Sequence, residues 1–233
     1  MFARNCISLI ALSLVTACGN HSDGPADPVP PSISAEVTQA DGIISANDAL
    51  VAFDTTTDST TVFLFFEGTN QAGFFGFEHG QLEETGEYAG LAVFAPSFRG
   101  IEGQVPTAGT GTYDGSFRLA HVTDISTGSD GTQTAGNTQN VRGDLSIEIN
   151  FDNLDFTGGS SDGSGLTMNG QITNGGQMSG IASFGGTDAV LGGLVLGNTS
   201  EQVDSSVTGA FAGGTETELL VGGFGASDLV EDG

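Results

Sequence analysis

The chain contains no tryptophan, no lysine and only two cysteines in 233 residues. Four arginines face 29 aspartates and glutamates, for a formal net charge of -25. A chain so poor in cations is excluded from nucleic-acid binding, which rests on clustered Lys and Arg against phosphate. It is equally unsuited to electrostatic docking on anionic lipid. Both cysteines, Cys6 and Cys18, lie near the start, so the rest has no thiol for a disulfide or a metal cluster. Packing and strand pairing must hold any fold. Glycine is abundant, with 38 residues, as is phenylalanine with 16. At 37 % hydrophobic residues the chain has the material for one modest core and lacks the signature of general disorder.

The first seventeen residues read as an address. Arg4 gives a basic start, and Ile7 to Val15 form an apolar stretch too short to span a bilayer. The stretch ends in Val15-Thr16-Ala17-Cys18, which resembles the lipobox of bacterial lipoproteins. That resemblance implies cleavage after Ala17 and lipidation of Cys18, with several acyl chains anchoring the protein in a membrane. Gly19 follows the cysteine in place of the aspartate that resembles an inner-membrane retention signal. In a Gram-negative source the expected destination is therefore the outer membrane. Residues 18–35 carry Pro25, Pro28, Pro30 and Pro31, whose stiffness predicts a semi-extended tether. His21 reads as a solvated residue of that tether.

After Cys18 no apolar stripe follows the helical period; apolar residues recur at period two or in short runs bounded by Gly, Asn, Asp and Ser. Leu145, Ile147, Ile149 and Phe151 alternate with Ser146, Glu148, Asn150 and Asp152, so one face should be dry and the other wet. Leu166, Met168 and Ile172 repeat the pattern before a turn at Asn174-Gly175-Gly176. Val203, Val207 and Phe211 alternate with Asp204, Thr208 and Ala210, again predicting one dry face and one wet one. The run from Thr61 to Phe66 reads as a strand covered on both faces, with Gly73 to Phe77 and Tyr88 to Phe94 as its neighbours. Residues 126–140 and 158–165 read as polar, mobile loops. The predicted class is all-β: the short strands, glycine turns and one-sided burial indicate a sandwich or a barrel, and closure of exposed edges favours an antiparallel up-and-down barrel of about eight strands over residues 105–233.

Four segments together resemble the barrel domain of the transferrin-binding protein B family of surface lipoproteins. They are Val105 to Gly115; Leu145 to Phe151 with Leu154 to Gly158; Leu166 to Ile172, continuing through Gly180; and Val207 to Gly213 with Glu218 to Phe224. The last is similar to the family's closing pattern of Gly-x-Phe-x-Gly followed by Glu-x-x-Gly-Gly-x-Phe. In it Phe211 and Phe224 would fill the barrel, while Gly209, Gly213, Gly222 and Gly223 would allow close backbone approach. The resemblance implies a smaller handle-like β-sheet over residues 36–104 ahead of the barrel, and a surface-exposed binding protein for a host protein, iron or a haem-related ligand. It also implies export by the family's translocator, the surface lipoprotein assembly modulator. There are departures: the chain has room for one lobe where transferrin-binding members have two, and Ala212-Gly213-Gly214-Thr215 replaces the Gly-Pro-x-Ala between the last two strands.

No Ser-His-Asp order, phosphate-binding loop, zinc spacing or paired catalytic carboxylate stands out, so no catalytic residue is expected and the chain reads as a non-enzyme. Tyr88, Tyr113 and His121 are of residue types that serve as axial haem ligands, against the plainer reading that Tyr113 packs at a strand end and His121 lies at a surface turn. Glu78-His79 with Glu83-Glu84 are of types that hold a cation, and Asp124 to Asp130 and Gly158 to Gly165 have oxygen-rich spacing. Neither loop carries the nonapeptide repeat of specific calcium loops, so no metal ligand is assigned. Arg99, Arg118 and Arg142 should each pair with neighbouring carboxylates. Outward Glu148, Asp152 and Asp204 argue against a lipid-embedded barrel. The alternative to a binding protein is a structural envelope lipoprotein with no small ligand, its charge serving solubility. A monomer is expected in either case.

Overall fold

The computed structural model describes residues 35–38, 43–46, 60–67, 72–95, 105–196 and 205–228, with side chains over 75–94, 105–196 and 205–228. The stretches read as leader and tether, with Cys18, and Arg99, Val203 and Asp204 lie outside the described residues. Every regular element among the described residues is a strand. Strands β1 (Ala35–Thr38), β2 (Ile43–Ala46), β3 (Thr60–Glu67), β4 (Ala72–Gln81) and β5 (Tyr88–Ala95) form one sheet in the order β1-β2-β5-β4-β3. The burial expected for the Thr61–Phe66 run falls on side chains that are not described.

The barrel follows. Its strands are β6 (Thr110–Thr123), β9 (Asn137–Asn150), β10 (Asp155–Ser160), β11 (Thr167–Ile172), β12 (Gln177–Phe184), β13 (Thr187–Leu196), β14 (Ser206–Gly214) and β15 (Leu219–Ser227). Each pairs antiparallel with its neighbours, and β15 returns to β6 with Phe224 opposite Phe117. The predicted eight-stranded up-and-down barrel with a preceding sheet is the observed architecture. A two-stranded ribbon, β7 (Ser126–Thr127) and β8 (Gln133–Thr134), interrupts the β6–β9 connection. Residues 126–140 are thus not a featureless loop. Gln133 donates from its backbone N–H to Gly86 and accepts the Tyr88 N–H on Oε1, fastening the ribbon to the sheet.

Alternation decides the interior. Leu145, Ile147, Ile149, Phe156, Met168, Ile172, Met178 and Ala182 point inward and are buried. Four of the phenylalanine rings follow a further rule: each faces a glycine on an adjacent strand. Phe224 pairs with Gly209 and Phe211 with Gly222, Phe156 with Gly170 and Phe117 with Gly143. A Cβ built on any of these four glycines would come under 3.0 Å from the ring opposite it. The ring occupies the space that the missing side chain leaves, so the barrel is filled without being stretched.

The outer wall corrects the sequence reading of β14. Thr208 and Ala210, expected to be wet, are 2 % and 0 % exposed. The preceding sheet lies against this wall. Phe75, Phe77, Tyr88, Ala92 and Phe94 pack on Ala120, Val122, Ala210, Ala212, Leu219 and Val221. Small outward residues make the approach possible; a Cβ on Gly223 would strike the Phe75 ring. Period two predicts which residues share a face but not that a second sheet will cover the outer one.

The ring-on-glycine pairs predict non-additive energetics. Phe224→Ala should cost about 3–5 kcal/mol and Gly209→Ala about 1–3 kcal/mol from overpacking. The double variant, in which the new methyl occupies part of the vacated space, should cost less than their sum. Urea unfolding of the four proteins measures the coupling, and additivity within about 0.5 kcal/mol would refute it.

Candidate functional site

On the eight-membered ring β10 stands opposite β14, so the wall made by β9, β10 and β11 faces away from the docked sheet. Register places its outward side chains in two cross-strand rows: Glu148, Thr157 and Asn169, then Asn150, Asp155 and Gln171. These residues line a groove of about 440 Å³. Asn150 Oδ1 accepts the N–H groups of Asp152 and Asn153, capping the turn to β10 and leaving the amide NH2 as a donor. The lining offers two carboxylates, three amides and a hydroxyl. Such a wall can hydrogen-bond a polar partner surface and prefers cationic to anionic groups. It does not suit hydrocarbon, which demands an outward apolar band.

The residues singled out for haem or cation binding are placed elsewhere. Tyr113 is buried in the barrel, accepting a hydrogen bond from Ser205 Oγ at 3.0 Å. Burial pushes its phenol above the ordinary 10.0; the Ser205 contact pulls it down and Asp228 adds to the rise. Tyr88 lies between sheet and barrel, its hydroxyl 3.0 Å from Nδ1 of buried His79. His121 is not at a surface turn but 7 % exposed, against the edge of the Phe184 ring. Its Nε2 lies 2.9 Å from Thr187 Oγ1, which in turn donates to Glu218 Oε2. The single hydroxyl proton goes to the carboxylate, so Nε2 carries a proton and donates. Thr187 had no sequence signal and Glu218 appeared only as the first residue of the closing pattern, because three separate elements bring this relay together. Tyr88 Oη, Tyr113 Oη and His121 Nε2 are each engaged inside the protein, and the structure does not gather the three side chains at one site.

The cation candidates also separate. His79 points toward the barrel, its strand neighbour Glu78 lies on the opposite face, and Glu83 and Glu84 are exposed in the following turn. In the two oxygen-rich loops the carboxylates serve the chain itself. Asp130 Oδ1 accepts the N–H and hydroxyl of Thr132, and Asp162 accepts the N–H groups of Ser164 and Asp144. These bonds hold both carboxyls below the ordinary 3.8, with Thr132 and Ser164 as the leading causes. The arginine expectation fails as well: among the described residues Arg118 and Arg142 form no ion pair. Instead they stand opposite each other across β6 and β9, both exposed.

No family model and no curated protein matches the chain. Several solved structures are similar, two of which follow. One is the Transferrin Binding Protein B double mutant from Haemophilus parasuis Hp5, at 13 % identity and a TM-score of 0.46, covering 73 % of this chain and 38 % of that one. The other is the haemoglobin receptor HpuA from Kingella denitrificans, at 14 % identity and a TM-score of 0.38, covering 84 % and 71 %. They place the chain in no family.

The Asp162 clamp carries a pH consequence. A depressed carboxyl contributes loop order above its unfolded pKa, and that order is lost as pH falls through the folded value. The Ser164 amide proton resonance should therefore titrate with a midpoint below 3.8. A midpoint at or above that value would refute the clamp.

Proposed function

We propose that the chain is a binding protein, anchored by lipid on Cys18 to the outer membrane of a Gram-negative cell and exposed at its surface. It takes a protein ligand on the outside of its barrel. One observation carries the reading: the interior is filled with rings and the β14–β15 wall is covered by the chain's own sheet, which leaves the polar β9–β11 wall and the loops for contact. A packed barrel of this kind is a platform and not a carrier of small molecules. The lipobox-like leader and the proline-rich tether support anchoring at a distance from the membrane, and the four-segment resemblance supports host-protein capture and export by the surface lipoprotein translocator. Haem or iron would then arrive on the captured protein, since Tyr88, Tyr113 and His121 are engaged internally.

Protease shaving of intact cells tests exposure; cleavage is expected, and full protection until the membrane is broken would overturn it. Affinity capture with a Cys18→Ser chain tests the wall. Glu148→Lys combined with Asn169→Arg should weaken capture of the recovered ligand at least tenfold. Recovery of envelope proteins alone would favour the structural lipoprotein instead.

A further inference from the structure

Strands β6 and β9 each run for 14 residues and pair along their whole length. Strand β10 covers β9 only from Leu145 to Asn150. Residues 137–143 therefore run past the wall with one edge open. Local bonds fix which groups that edge displays. Ser161 N–H donates to the Asp144 carbonyl at 3.0 Å, and Asp144 N–H donates to Asp162 Oδ2 at 3.2 Å. Asp144 thus turns both main-chain groups away from β6. In an antiparallel pair this orientation recurs every second residue, so Arg142, Asn140 and Thr138 turn theirs the same way. Among the described residues none of these three has a backbone partner on that side, and all three are exposed.

An edge about as long as an average strand is a template for pairing, and proteins ordinarily blunt such edges with lysine, proline or a bulge. This one, Asn-Thr-Gln-Asn-Val-Arg-Gly, carries neither lysine nor proline and pairs with β6 without a bulge. Its one charged residue, Arg142, stands opposite Arg118. Like charges directly opposite on a sheet repel, and neither guanidinium is neutralised within the described residues. Nearby, Asp162 is spent on two amides. Asp144 lies two residues along from Arg142 and opposite Ser116. In a chain of net charge -25, two adjoining unpaired guanidiniums beside an open edge select a carboxylate, which such groups bind through paired N–H donors.

We propose that residues 137–143 form a strand-addition site for an extended segment of a partner protein that carries a carboxylate. The segment's main chain pairs with Thr138, Asn140 and Arg142, and its carboxylate bridges Arg118 and Arg142. A second copy of this chain is the poorer occupant, because edge-to-edge pairing would bring two strongly acidic molecules together. The site is separate from the β9–β11 groove and stands whether or not that groove binds.

A random twelve-residue peptide library displayed on phage, panned against the immobilised full-length chain, tests this. Recovered peptides should be enriched in Asp or Glu within a β-branched context. They should bind Glu148→Lys like the parent and lose at least tenfold affinity for Arg142→Glu. Asn140→Pro should have the same effect, since it removes an N–H that β6 does not use. N-methylation of alternate peptide residues gives a readout independent of protein folding and should also cost at least tenfold. In the complex the amides of Thr138, Asn140 and Arg142 should exchange more slowly, with those of Gln139 and Val141 unchanged. Failure to recover peptides, peptides without carboxylates, or full affinity after N-methylation in both alternating registers would overturn the proposal.

Discussion

The structure depends on rings lying over glycines across the barrel ladder. An eight-stranded cylinder has an interior just wide enough for side chains to fill, and four of its rings fit because one flanking strand carries a glycine: Phe224 has Phe117 on one side but Gly209 on the other. Phe224 opposite Gly209 and Phe211 opposite Gly222 solve this in mirrored fashion on β14 and β15, and Phe156 opposite Gly170 repeats it across the barrel. Glycine weakens an isolated strand, but here each one has its face shielded by its neighbour's ring. Four phenylalanines and four glycines are placed by that single constraint. A cylinder closed by rings leaves its outer walls and loops as the surfaces for contact.

The same use of small residues on the opposite side of β14 and β15 creates a second joint. Ala210, Ala212 and Gly223 leave a shallow wall on which Phe75, Phe77 and Phe94 settle. The barrel thereby acquires a front and a back. Its covered side is apolar and inert, while the far side keeps carboxylates and amides in register. Polar groups mark the joints: buried His79 with Tyr88 at the sheet, and buried His121 and Thr187 with half-buried Glu218 in the barrel.

Much of this was legible in the residues. Strand positions and the all-β class follow from period-two alternation and glycine spacing, while the filling role of Phe211 and Phe224 came with the resemblance of the closing segment. What alternation cannot report is whether the outward face of a strand meets water or another sheet, which is why Thr208 and Ala210 read as wet. Nor can it report register: Arg118 and Arg142 lie far apart in sequence, and only the β6–β9 pairing sets them face to face. The polar wall was half visible. Glu148 and Asn150 were read as outward, but Thr157, Asn169 and Gln171 joined them only once the strands were aligned.

The seam between β15 and β6 has a kinetic meaning. It joins residues such as Phe117 and Phe224, the longest reach in the barrel, so the cylinder cannot shut while its final strand is still being made or threaded. Contacts of that span are slow to form, and until they do the facing edges of β6 and β15 both stay unpaired. A chain that has to cross a narrow conduit before folding would find in this delay a built-in safeguard against folding too soon.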